Sequence, residues 1–444
     1  MLKNFAISIV RTLHEAGHQA YLVGGCVRDL LTGREPADYD VSTDATPNEV
    51  MRIFPDTYAV GAQFGVVLVP MPEDSAGNLT VEVATFRSDI GYSDGRHPDE
   101  VRFSKDPRED VERRDFTING LLLDPLKDEV LDFVGGRADI AAGIVRTIGS
   151  AERRFAEDKL RMLRAVRFAS RFGYAIEPAT FVAIQELAPE IRQVSRERVR
   201  DELTKMLTEG HAREAFLLLE QTGLLVEVLP EISAMKRVQQ PPQFHPEGDV
   251  FVHTMLLLEK LPRPCPSTLA WGALLHDVGK PPTFRVAPDR IRFDGHVEVG
   301  VKMAEAICQR FHFSNSDTDQ ILALVDNHMR FADVERMKES TFKRFIRMPR
   351  FEEHLELHRL DCESAHGDLT LYNFTRNKMA AIPREAIRPE PLITGEDLIA
   401  AGYSPGPAFK EILAAVEDGQ LEGRWDSKDA AMGFVTSQFR VNSR

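Results

Sequence analysis

The hydrophobic pattern of this chain changes its period near residue 150. Before that point, short apolar runs such as Tyr21–Val23 and Val66–Val69 are bounded by glycine and alternate with segments of helical spacing, as short strands and helices do. From Ala151 to about Met206, apolar residues follow a helical spacing almost throughout. The pattern predicts an α+β fold, in which an α/β domain is followed by helical domains.

Length and proline-rich breaks set the expected domain limits. The 444 residues suggest about three domains at roughly 150 residues each. Proline-rich segments at 240–249 and 381–391 interrupt the helical pattern. We therefore expect a head at 1–140, a helical neck at 141–235, a histidine-bearing helical domain at 236–380 and a tail at 381–444.

The overall charge excludes one way of binding nucleic acid. Lys and Arg total 55 and Asp and Glu total 69, which gives a formal net charge of −14. A chain of this charge cannot coat a polyanion by bulk attraction, so any nucleic-acid contact needs a local basic patch. Basic residues outnumber acidic ones between Arg153 and Arg171, and that segment is the candidate patch.

Cysteine spacing and the N-terminal residues predict a cytoplasmic protein without a membrane segment. The four cysteines are widely spaced and form no Cys-x-x-Cys pair, so neither a disulfide framework nor a thiolate zinc site is indicated. Arg11, His14 and Glu15 interrupt the first apolar residues, which is unlike a signal peptide. No apolar stretch has the length needed to span a bilayer.

A strand, two glycines and the start of a helix follow one another at LVGGCVRDLL (22–31). Gly24 and Gly25 let a phosphate approach the backbone, and the following helix, which carries Arg28, presents free N–H groups. These residues are candidates for nucleotide binding. The alternative is that this strand–Gly–Gly–helix junction, like most of its kind, is only a tight turn.

Paired carboxylates follow in ADYDVST (37–43). Asp38 and Asp40 are two residues apart and would share one face of a strand. Their repulsion, a few kcal/mol at an effective dielectric of about 20, invites a cation, and oxygen ligands favour Mg²⁺. Glu82 in VEVATFR (81–87) is the candidate third carboxylate. The alternatives are a solvated turn for the aspartates and an edge-strand position for the glutamate.

Two further segments carry arginine together with acidic residues. RRDFTIN (113–119) offers Arg114 for triphosphate oxygens and Asp115 or Asn119 for a ribose hydroxyl. In EDKLRMLR (157–164), Asp158 and Arg161 are three residues apart and would be neighbours on one helix face. The other interpretations are a capped helix start and an ordinary intrahelical ion pair.

The Asp158–Arg161 pair would suit a particular pair of nucleobases. Cytosine and adenine both place an exocyclic amino donor beside a ring-nitrogen acceptor, whereas uracil and guanine place a carbonyl beside a ring N–H. One carboxylate acceptor and one guanidinium donor match the first pattern. Rejection of the second is strong because polar groups would stay unpaired.

LVGGCVRD with DYDVSTDATP, then RRDFTING, then EDKLRMLR, in this order, closely resembles the class II tRNA nucleotidyltransferases, the CCA-adding family, over about residues 20–205. The resemblance implies a polymerase-beta-like head, CTP, ATP and tRNA as partners, Mg²⁺ as cofactor and addition of CCA to tRNA 3′ ends. The residues that the motifs carry over are Asp38 and Asp40 for Mg²⁺, Arg114, Asp115 and Asn119 for ribose and triphosphate, and Asp158 and Arg161 for the base, supported by Glu157 and Arg164. Gly120 and Ile140 depart from the usual alanine and leucine.

Related activities remain as alternatives. Poly(A) polymerases share the head but carry a basic-aromatic cluster where this chain has YAVGAQFGVVLV (58–69), which lacks Lys and Arg. The segment 89–103 is similar to the loop associated with the final A addition, which argues against a CC-only enzyme. DFVGG (132–136) with Asp139 resembles the hinge between head and neck. An A-adding or poly(A) polymerase relative is the first alternative, and a chain that acts chiefly through its histidine region is the second.

A second constellation contains histidines and aspartates from residue 253 to residue 361. Imidazole mixed with carboxylate suits transition metals better than Mg²⁺. The order of His253, His276–Asp277 and Asp361 resembles the HD phosphohydrolase superfamily. The resemblance implies these four as ligands of a divalent transition metal, with His296 and His328 as further candidates and Lys280 helping to hold phosphate. The expected activity is metal-dependent hydrolysis of a 2′,3′-cyclic phosphate, and the alternative is a purely structural HD fold. Oligomeric state is not predicted.

Overall fold

The computed structural model describes residues 1–59, 65–71, 79–91, 95, 99–242, 245–246, 248–288 and 290–439. The chain divides into two compact units, Met1–Ala234 and Met235–Arg444. The segments 58–69 and 89–103 are only partly within the described residues, so the expectations placed on them remain predictions. No helix in the described ranges combines the length and hydropathy required to cross a membrane.

The first part of unit one is mixed in structure, as the sequence predicts. Its helices are α1 (Leu2–Glu15), α2 (Gly25–Leu31), α3 (Pro47–Ile53), α4 (Pro107–Glu112) and α5 (Gly136–Ala142). Its strands are β1 (Ala20–Val23), β2 (Asp40–Thr43), β3 (Val66–Pro70), β4 (Thr80–Thr85), β5 (Arg87–Ile90), β6 (Glu100–Phe103), β7 (Leu121–Asp124), β8 (Glu129–Asp132) and β9 (Ile144–Val145).

A six-stranded sheet with the order β3-β4-β2-β1-β7-β8 organises this region. β2 and β4 run parallel, and the other neighbours are antiparallel. Val41 of β2 and Val83 of β4 pair in register and belong to a buried apolar cluster that also contains Ile9 and Leu13 of α1. Because β2 and β4 are parallel neighbours, Asp40 at the start of β2 lies beside Glu82 in β4.

The DFVGG segment is held by one carboxylate. Asp132 accepts hydrogen bonds from the backbone N–H groups of four residues, at Val134 (3.1 Å), Gly135 (2.8 Å), Gly136 (3.0 Å) and Arg137 (2.9 Å). A Cβ on Gly136 would lie 2.2 Å from the Thr117 carbonyl oxygen, so only glycine fits there. The turn is therefore tightly built, and its role as a hinge remains a prediction.

The rest of unit one is helical, apart from β10 (Ala175–Ile176), which pairs in parallel with β9. The helices are α6 (Ala151–Glu157), α7 (Leu160–Phe172), α8 (Pro178–Leu187), α9 (Arg196–Thr208), α10 (Ala212–Gln221), α11 (Leu224–Val228) and α12 (Pro230–Ser233). α7 buries Leu163, Val166 and Ala169 on one stripe, as the sequence pattern predicts.

Unit two is almost entirely helical. Its helices are α13 (Val250–Glu259), α14 (Ser267–Leu275), α15 (Lys280–Thr283), α16 (His296–Arg310), α17 (Asn315–Asn327), α18 (Glu339–Ile346), α19 (Phe351–Ser364), α20 (Thr370–Ala381), α21 (Arg384–Ile387), α22 (Gly395–Ala400), α23 (Pro407–Leu421) and α24 (Lys428–Gln438). A short hairpin, β11 (Arg285–Val286) with β12 (Ile291–Arg292), interrupts them. α14 packs against α13, α17 and α19, and the tail from Ile393 to Val435 has an apolar cluster of its own.

Candidate functional site

Three carboxylates meet at the start of the central strands. Asp40 is the first residue of β2, and its register partner in β4 is Glu82. The expectation that Asp38 lies within the same strand is wrong, because β2 begins only at Asp40. The alternation nevertheless extends backward, since Asp38 is exposed and Tyr39 is buried.

The surroundings of Asp40 and Glu82 disfavour the charged form of their carboxyl groups. Burial, followed by the charges of Glu82 and Asp38, raises the pKa of Asp40 to about 7. Burial also raises the pKa of Glu82, with Asp38 adding to the effect and Arg114 opposing it. Crowded carboxylates of this kind fit a hard divalent cation with oxygen ligands, because the cation offsets their repulsion.

A cavity of about 810 Å³ opens beside the carboxylates. Its lining includes the glycine pair, both arginines of RRDFTIN and the Asp158–Arg161 pair. Gly24 has a φ of 76°, and a Cβ there would lie 3.4 Å from Nη1 of Arg114. The backbone therefore approaches a guanidinium group closely where a phosphate would be expected.

Asp110 fixes the two arginines at the cavity wall, a role that its spacing of three and four residues from Arg113 and Arg114 could have indicated. It is fully buried. It accepts hydrogen bonds from Arg113 Nη2 (2.6 Å) and Arg114 Nη2 (2.9 Å) and from the hydroxyl of Ser42 (3.1 Å). Burial alone would raise the pKa of Asp110, but Arg114 and Arg113 outweigh that effect and lower it to about 2.

Asp115 is engaged by neighbouring groups of the protein, and its contact with a ribose remains a prediction. Its Oδ2 accepts two hydrogen bonds from Arg164, at 2.9 and 2.7 Å, and its Oδ1 accepts from the Phe116 N–H and from Asn119 Nδ2. Arg164 and Asn119 outweigh burial and hold the pKa of Asp115 at about 2. Asn119 in turn accepts from Arg28, so these predicted residues form one connected network.

The expectation that Asp158 and Arg161 lie on one continuous helix is wrong. α6 ends at Glu157, and α7 begins at Leu160. Asp158 occupies the break, where its carboxylate accepts from the Leu160 N–H at 3.1 Å. A short polar side chain at a helix start competes with helical bonding in this way.

The two members of this pair have different partners within the described residues. Asp158 accepts two hydrogen bonds from Arg198 of α9, at 3.2 and 2.7 Å. Arg161 donates to Glu157 at 2.7 Å and to the carbonyl oxygens of Arg154 and Arg113. Both side chains line the cavity. Arg198 was missed, because a partner forty residues away leaves no local spacing signal.

Aromatic rings form part of the same wall. Phe168 lines the cavity and stacks on Phe172 with ring centroids 6.1 Å apart. The Arg28 guanidinium lies 4.4 Å from the Phe172 centroid, within the range of a cation–π contact. Arg28 is buried and is part of the cavity lining.

The histidine cluster, defined as His253, His276, Asp277, His296, His328 and Asp361, is assembled in unit two. His253 of α13 places Nε2 3.0 Å from Oδ1 of Asp361 in α19. α14 ends at Leu275, and the turn that follows carries His276 and Asp277. The end of the helix lets the two adjacent side chains approach one centre, as the sequence argument requires.

The donor set fits a transition metal. His253, His276 and Asp277 place one ligand atom each within 4.8 Å of one another, and Asp277, His296 and His328 do so as well. Burial lowers the pKa of His328 to about 4 and also lowers that of His296. These imidazoles are therefore neutral and able to act as ligands at neutral pH.

Asp277 is charged despite complete burial. Burial would raise its pKa, but Lys280 and His276 hold it well below its ordinary value. Lys280 Nζ lies 2.7 Å from Oδ2 of Asp277 and also donates to Gln240 at 2.7 Å. Lys280 therefore bonds a carboxylate of the cluster, and its contact with phosphate remains a prediction.

Comparison with known proteins supports this reading of both units. Residues 20–146 match the Poly A polymerase head domain, residues 173–236 match the probable RNA and SrmB-binding site of polymerase A, and residues 249–365 match the HD domain. Head domains of this kind and HD domains typically use divalent metals.

Curated relatives are CCA-adding enzymes. The enzyme of Geobacillus kaustophilus is 44% identical over 229 residues, which are 52% of this chain and 55% of that enzyme. The enzyme of Lactobacillus johnsonii is 39% identical over 260 residues, 58% of this chain and 64% of that enzyme. The chain thus spans about half the length of the first of these relatives and somewhat more of the second.

A solved structure extends the likeness along the whole chain. The Bacillus stearothermophilus CCA-adding enzyme in complex with CTP is 29% identical, with a TM-score of 0.74, over 98% of this chain and 97% of that one. The Thermotoga maritima CCA-adding enzyme complexed with tRNA is 20% identical, with a TM-score of 0.57, and shares the fold. The chain thus matches a Poly A polymerase head domain, an RNA-binding segment and an HD domain, and it is similar in sequence and fold to CCA-adding enzymes.

Proposed function

We propose that this protein adds CCA to the 3′ ends of tRNA, using CTP and ATP. The observation that carries the proposal is the meeting of Asp38, Asp40 and Glu82 beside a cavity that also contains Asp158 and Arg161. The carboxylates would serve nucleotidyl transfer, and the pair would choose the base. The relative solved with CTP supports CTP as a substrate, and the relative solved with tRNA supports tRNA as the acceptor.

Asp38 and Asp40 would hold Mg²⁺, with Glu82 as the third carboxylate of the site. When bound, the metal would supply neutralisation of phosphate charge and activation of the tRNA hydroxyl. The chain's own contribution is placement. Gly24 and Gly25 leave room for the triphosphate, and Arg114, fixed by Asp110, directs its guanidinium toward phosphate oxygens.

Base selection would require an exchange of partners. Asp158 would release Arg198 to accept the amino group of cytosine or adenine, and Arg161 would turn from Glu157 to donate to the ring nitrogen. Arg164 is held by Asp115 and supports this wall without reading the base. Selection by these protein groups would accept cytosine and adenine and reject uracil and guanine at every addition step.

Base selection can be tested by replacing the pair. Asp158→Ala or Arg161→Ala should blur the choice of C and A over U and G while triphosphate binding persists. Unchanged selectivity in both variants would contradict the assignment.

The activity can be tested by offering one labelled nucleotide at a time to a tRNA that lacks its 3′ end. We expect two CMP additions, then one AMP addition, then a halt. AMP alone would identify an A-adding enzyme, and a long A ladder would identify a poly(A) polymerase. No incorporation of any nucleotide would leave a chain that acts chiefly through its HD domain.

A second activity in the HD domain is favoured by the histidine cluster. Neutral buried imidazoles and charged Asp277 form a ligand set for a divalent transition metal such as Ni²⁺, Mn²⁺ or Co²⁺. The metal would polarise a phosphoryl group, and the substrate would be a 2′,3′-cyclic phosphate. Release of phosphate that depends on added metal tests this, and no release with any of the three metals would leave a structural domain.

The remaining proposals concern organisation and location. The proposed domain limits at 140, 235 and 380 follow the breaks in the sequence pattern. The basic face of residues 153–171 is the proposed contact surface for the tRNA backbone. The cytoplasm is the proposed compartment, because tRNA maturation substrates and nucleoside triphosphates meet there. Limited proteolysis with mass spectrometry of the fragments would test the proposed domain limits.

A further inference from the structure

We propose that Arg154 is a positioning residue for base selection, because it keeps the charge of Glu157 neutralised when Arg161 turns to the nucleobase. This inference rests on the proposed addition of CCA and deepens its base-selection step. The exchange of partners at Arg161 requires that side chain to leave a carboxylate. A largely buried carboxylate without a counter-charge is costly, so a second cation beside Glu157 decides whether the exchange can occur.

Two arginines share one oxygen of Glu157. Its Oε2 accepts a hydrogen bond from Nη1 of Arg154 at 2.8 Å and another from Nη1 of Arg161 at 2.7 Å. The exposed fraction of the side chain is 11% for Glu157, 11% for Arg154 and 12% for Arg161. Water therefore screens these charges weakly, and the carboxylate needs a cation at all times. Arg154 supplies that cation when Arg161 departs.

Arg154 is also held by backbone groups that do not move with Arg161. Its Nε donates to the carbonyl oxygen of Ile148 at 2.9 Å, and its Nη1 donates to the carbonyl oxygen of Arg113 at 3.3 Å. The Arg113 carbonyl oxygen accepts from Nη2 of Arg161 as well, at 3.3 Å. Departure of Arg161 would therefore leave these contacts of Arg154 intact, and its guanidinium would stay beside Glu157.

The two arginines line different cavities. Arg161 lines the cavity of about 810 Å³ that also contains Gly24 and Asp38. Arg154 lines a second cavity, of about 540 Å³, together with Gly149. Arg161 is thus placed to contact a nucleotide, whereas Arg154 is reached from a separate space. That space allows a small cation to replace the Arg154 side chain in a variant that lacks it.

The experiment measures equilibrium binding of CTP and UTP to the full chain by calorimetry. In Arg154→Ala, Glu157 would hold Arg161 more tightly, so CTP should bind about 10- to 100-fold more weakly than to the wild type. UTP presents a ring N–H and does not use the Arg161 donor, so its affinity should not change. Adding Glu157→Gln removes the charge that retains Arg161, so the double variant should regain most of the lost CTP affinity.

Arg153→Ala is the matched control. Arg153 precedes Arg154 in α6 and lies 3.4 Å from Oε1 of the same carboxylate, but its side chain is 75% exposed, and exposed ion pairs contribute little. The ratio of CTP to UTP affinity should therefore stay at the wild-type value. Any weaker contact of this variant with tRNA would affect all nucleotides alike.

Chemical rescue tests whether the missing charge is the cause. Millimolar guanidinium chloride should restore CTP binding to Arg154→Ala, because the ion can enter the second cavity and pair with Glu157. Urea has a similar shape without the charge and should not restore binding. Restoration by both compounds would assign the loss to empty space rather than to charge and would overturn the inference.

The other outcomes separate this inference from the proposed function. An unchanged CTP affinity in Arg154→Ala, or a loss that Glu157→Gln does not restore, would refute the positioning role, since a purely structural role predicts no restoration. Incorporation of CMP and AMP into tRNA by the wild type is measured in parallel. A CTP preference that depends on Arg154, without any incorporation, would refute the transfer activity and leave this inference standing. A wild type that binds CTP and UTP equally would refute both.

Discussion

The carboxylates at the start of β2 in the head and the histidine cluster of the HD domain each contain an acidic residue with a shifted pKa, but the shifts have opposite directions. In the head, acidic residues from adjacent strands face one another, and the pKa of Asp40 rises to about 7. In the HD domain, Lys280 and His276 offset the charge of Asp277, and its pKa falls. The negative charge of the first site would be neutralised by a bound cation, whereas the charge of Asp277 is compensated by side chains of the protein.

This difference has a functional meaning. A site with uncompensated negative charge would gain stability from a bound divalent cation. His296 and His328, whose pKa values burial lowers and whose rings backbone carbonyls orient, would form a preorganised pair of metal ligands.

The largest expected effect is the separation of the two activities. Asp40→Asn should lower nucleotide incorporation at least about 10³-fold, since loss of one metal-ligand charge weakens stabilisation of the transferring phosphoryl group. Asp277→Asn should lower cyclic-phosphate hydrolysis to a similar extent. Each variant is assayed for both reactions in parallel.

Glu129→Gln is the control for this pair of variants, because Glu129 is an exposed carboxylate on edge strand β8 of the same sheet. It should change neither rate. If Asp40→Asn abolished hydrolysis as strongly as incorporation, the two sites would not be independent, and the comparison would fail.

The next effect concerns specificity within the head. Arg198→Ala removes the guanidinium that holds Asp158, so we expect the preference for C and A over U and G to fall about 10- to 100-fold. The measurement is kcat/KM for each of the four nucleoside triphosphates. A purely structural role for Arg198 would lower all four values equally.

Arg200→Ala serves as the control for that experiment. Arg200 lies two residues further along α9 and bonds Asp201 at 2.8 Å. It is not part of the cavity lining. Loss of selectivity in this variant as well would assign the effect to α9 as a whole rather than to the Asp158 contact.

Local pattern in the sequence indicated the carboxylates, whereas the histidine ligands were predicted from the resemblance to the HD superfamily. Asp38, Tyr39 and Asp40 alternate in exposure as residues of a strand do. The adjacent His276 and Asp277 can reach one metal only at a turn or helix end, and α14 does end at Leu275. Glu82 was placed on the correct strand, but its pairing with Asp40 is a matter of sheet register. The order of the strands in a sheet is set by contacts between distant segments, which a single sequence does not contain.

The errors in the sequence analysis have different causes. The break between α6 and α7 arises because Asp158 bonds the Leu160 N–H and the distant Arg198. Helical spacing alone favoured an unbroken helix. Asp110 was also overlooked, although Arg113 and Arg114 follow it at a helical spacing of three and four residues; only its contact with Ser42 depends on the folded sheet. The break between α6 and α7 is therefore the case in which a tertiary contact overrides local propensity.

A smaller effect is expected on the acid stability of the head. The pKa of Asp110 is about 2 in the folded protein and about 3.9 in an unfolded chain. Its stabilising contribution is therefore complete above about pH 4 and is lost as the pH falls toward 2. We expect Asp110→Asn to destabilise the head by about 2 kcal/mol at pH 7 and by clearly less at pH 3.

Urea unfolding followed by circular dichroism is the suitable measurement. Both tryptophans, Trp271 and Trp425, lie in the second unit, so their fluorescence would not report the head. A destabilisation that stays constant from pH 7 to pH 3 would show that Asp110 acts through packing rather than charge.

The smallest expected effect is the change in folding stability when Asp40 or Asp277 is replaced by asparagine. Its sign is opposite in the two sites, so it tests the comparison directly. Because the pKa of Asp40 is raised to about 7, the folded head loses stability as the pH rises from about 4 to 7. Asp40→Asn removes that loss, so without metal the variant should be more stable than the wild type at pH 8 and about equal to it at pH 4. Mg²⁺ should stabilise the wild type more than the variant. Asp277→Asn should instead destabilise the HD domain at pH 8, since Lys280 would lose its charged partner. Stabilisation by both substitutions would mean that the HD site, like the head, carries uncompensated charge.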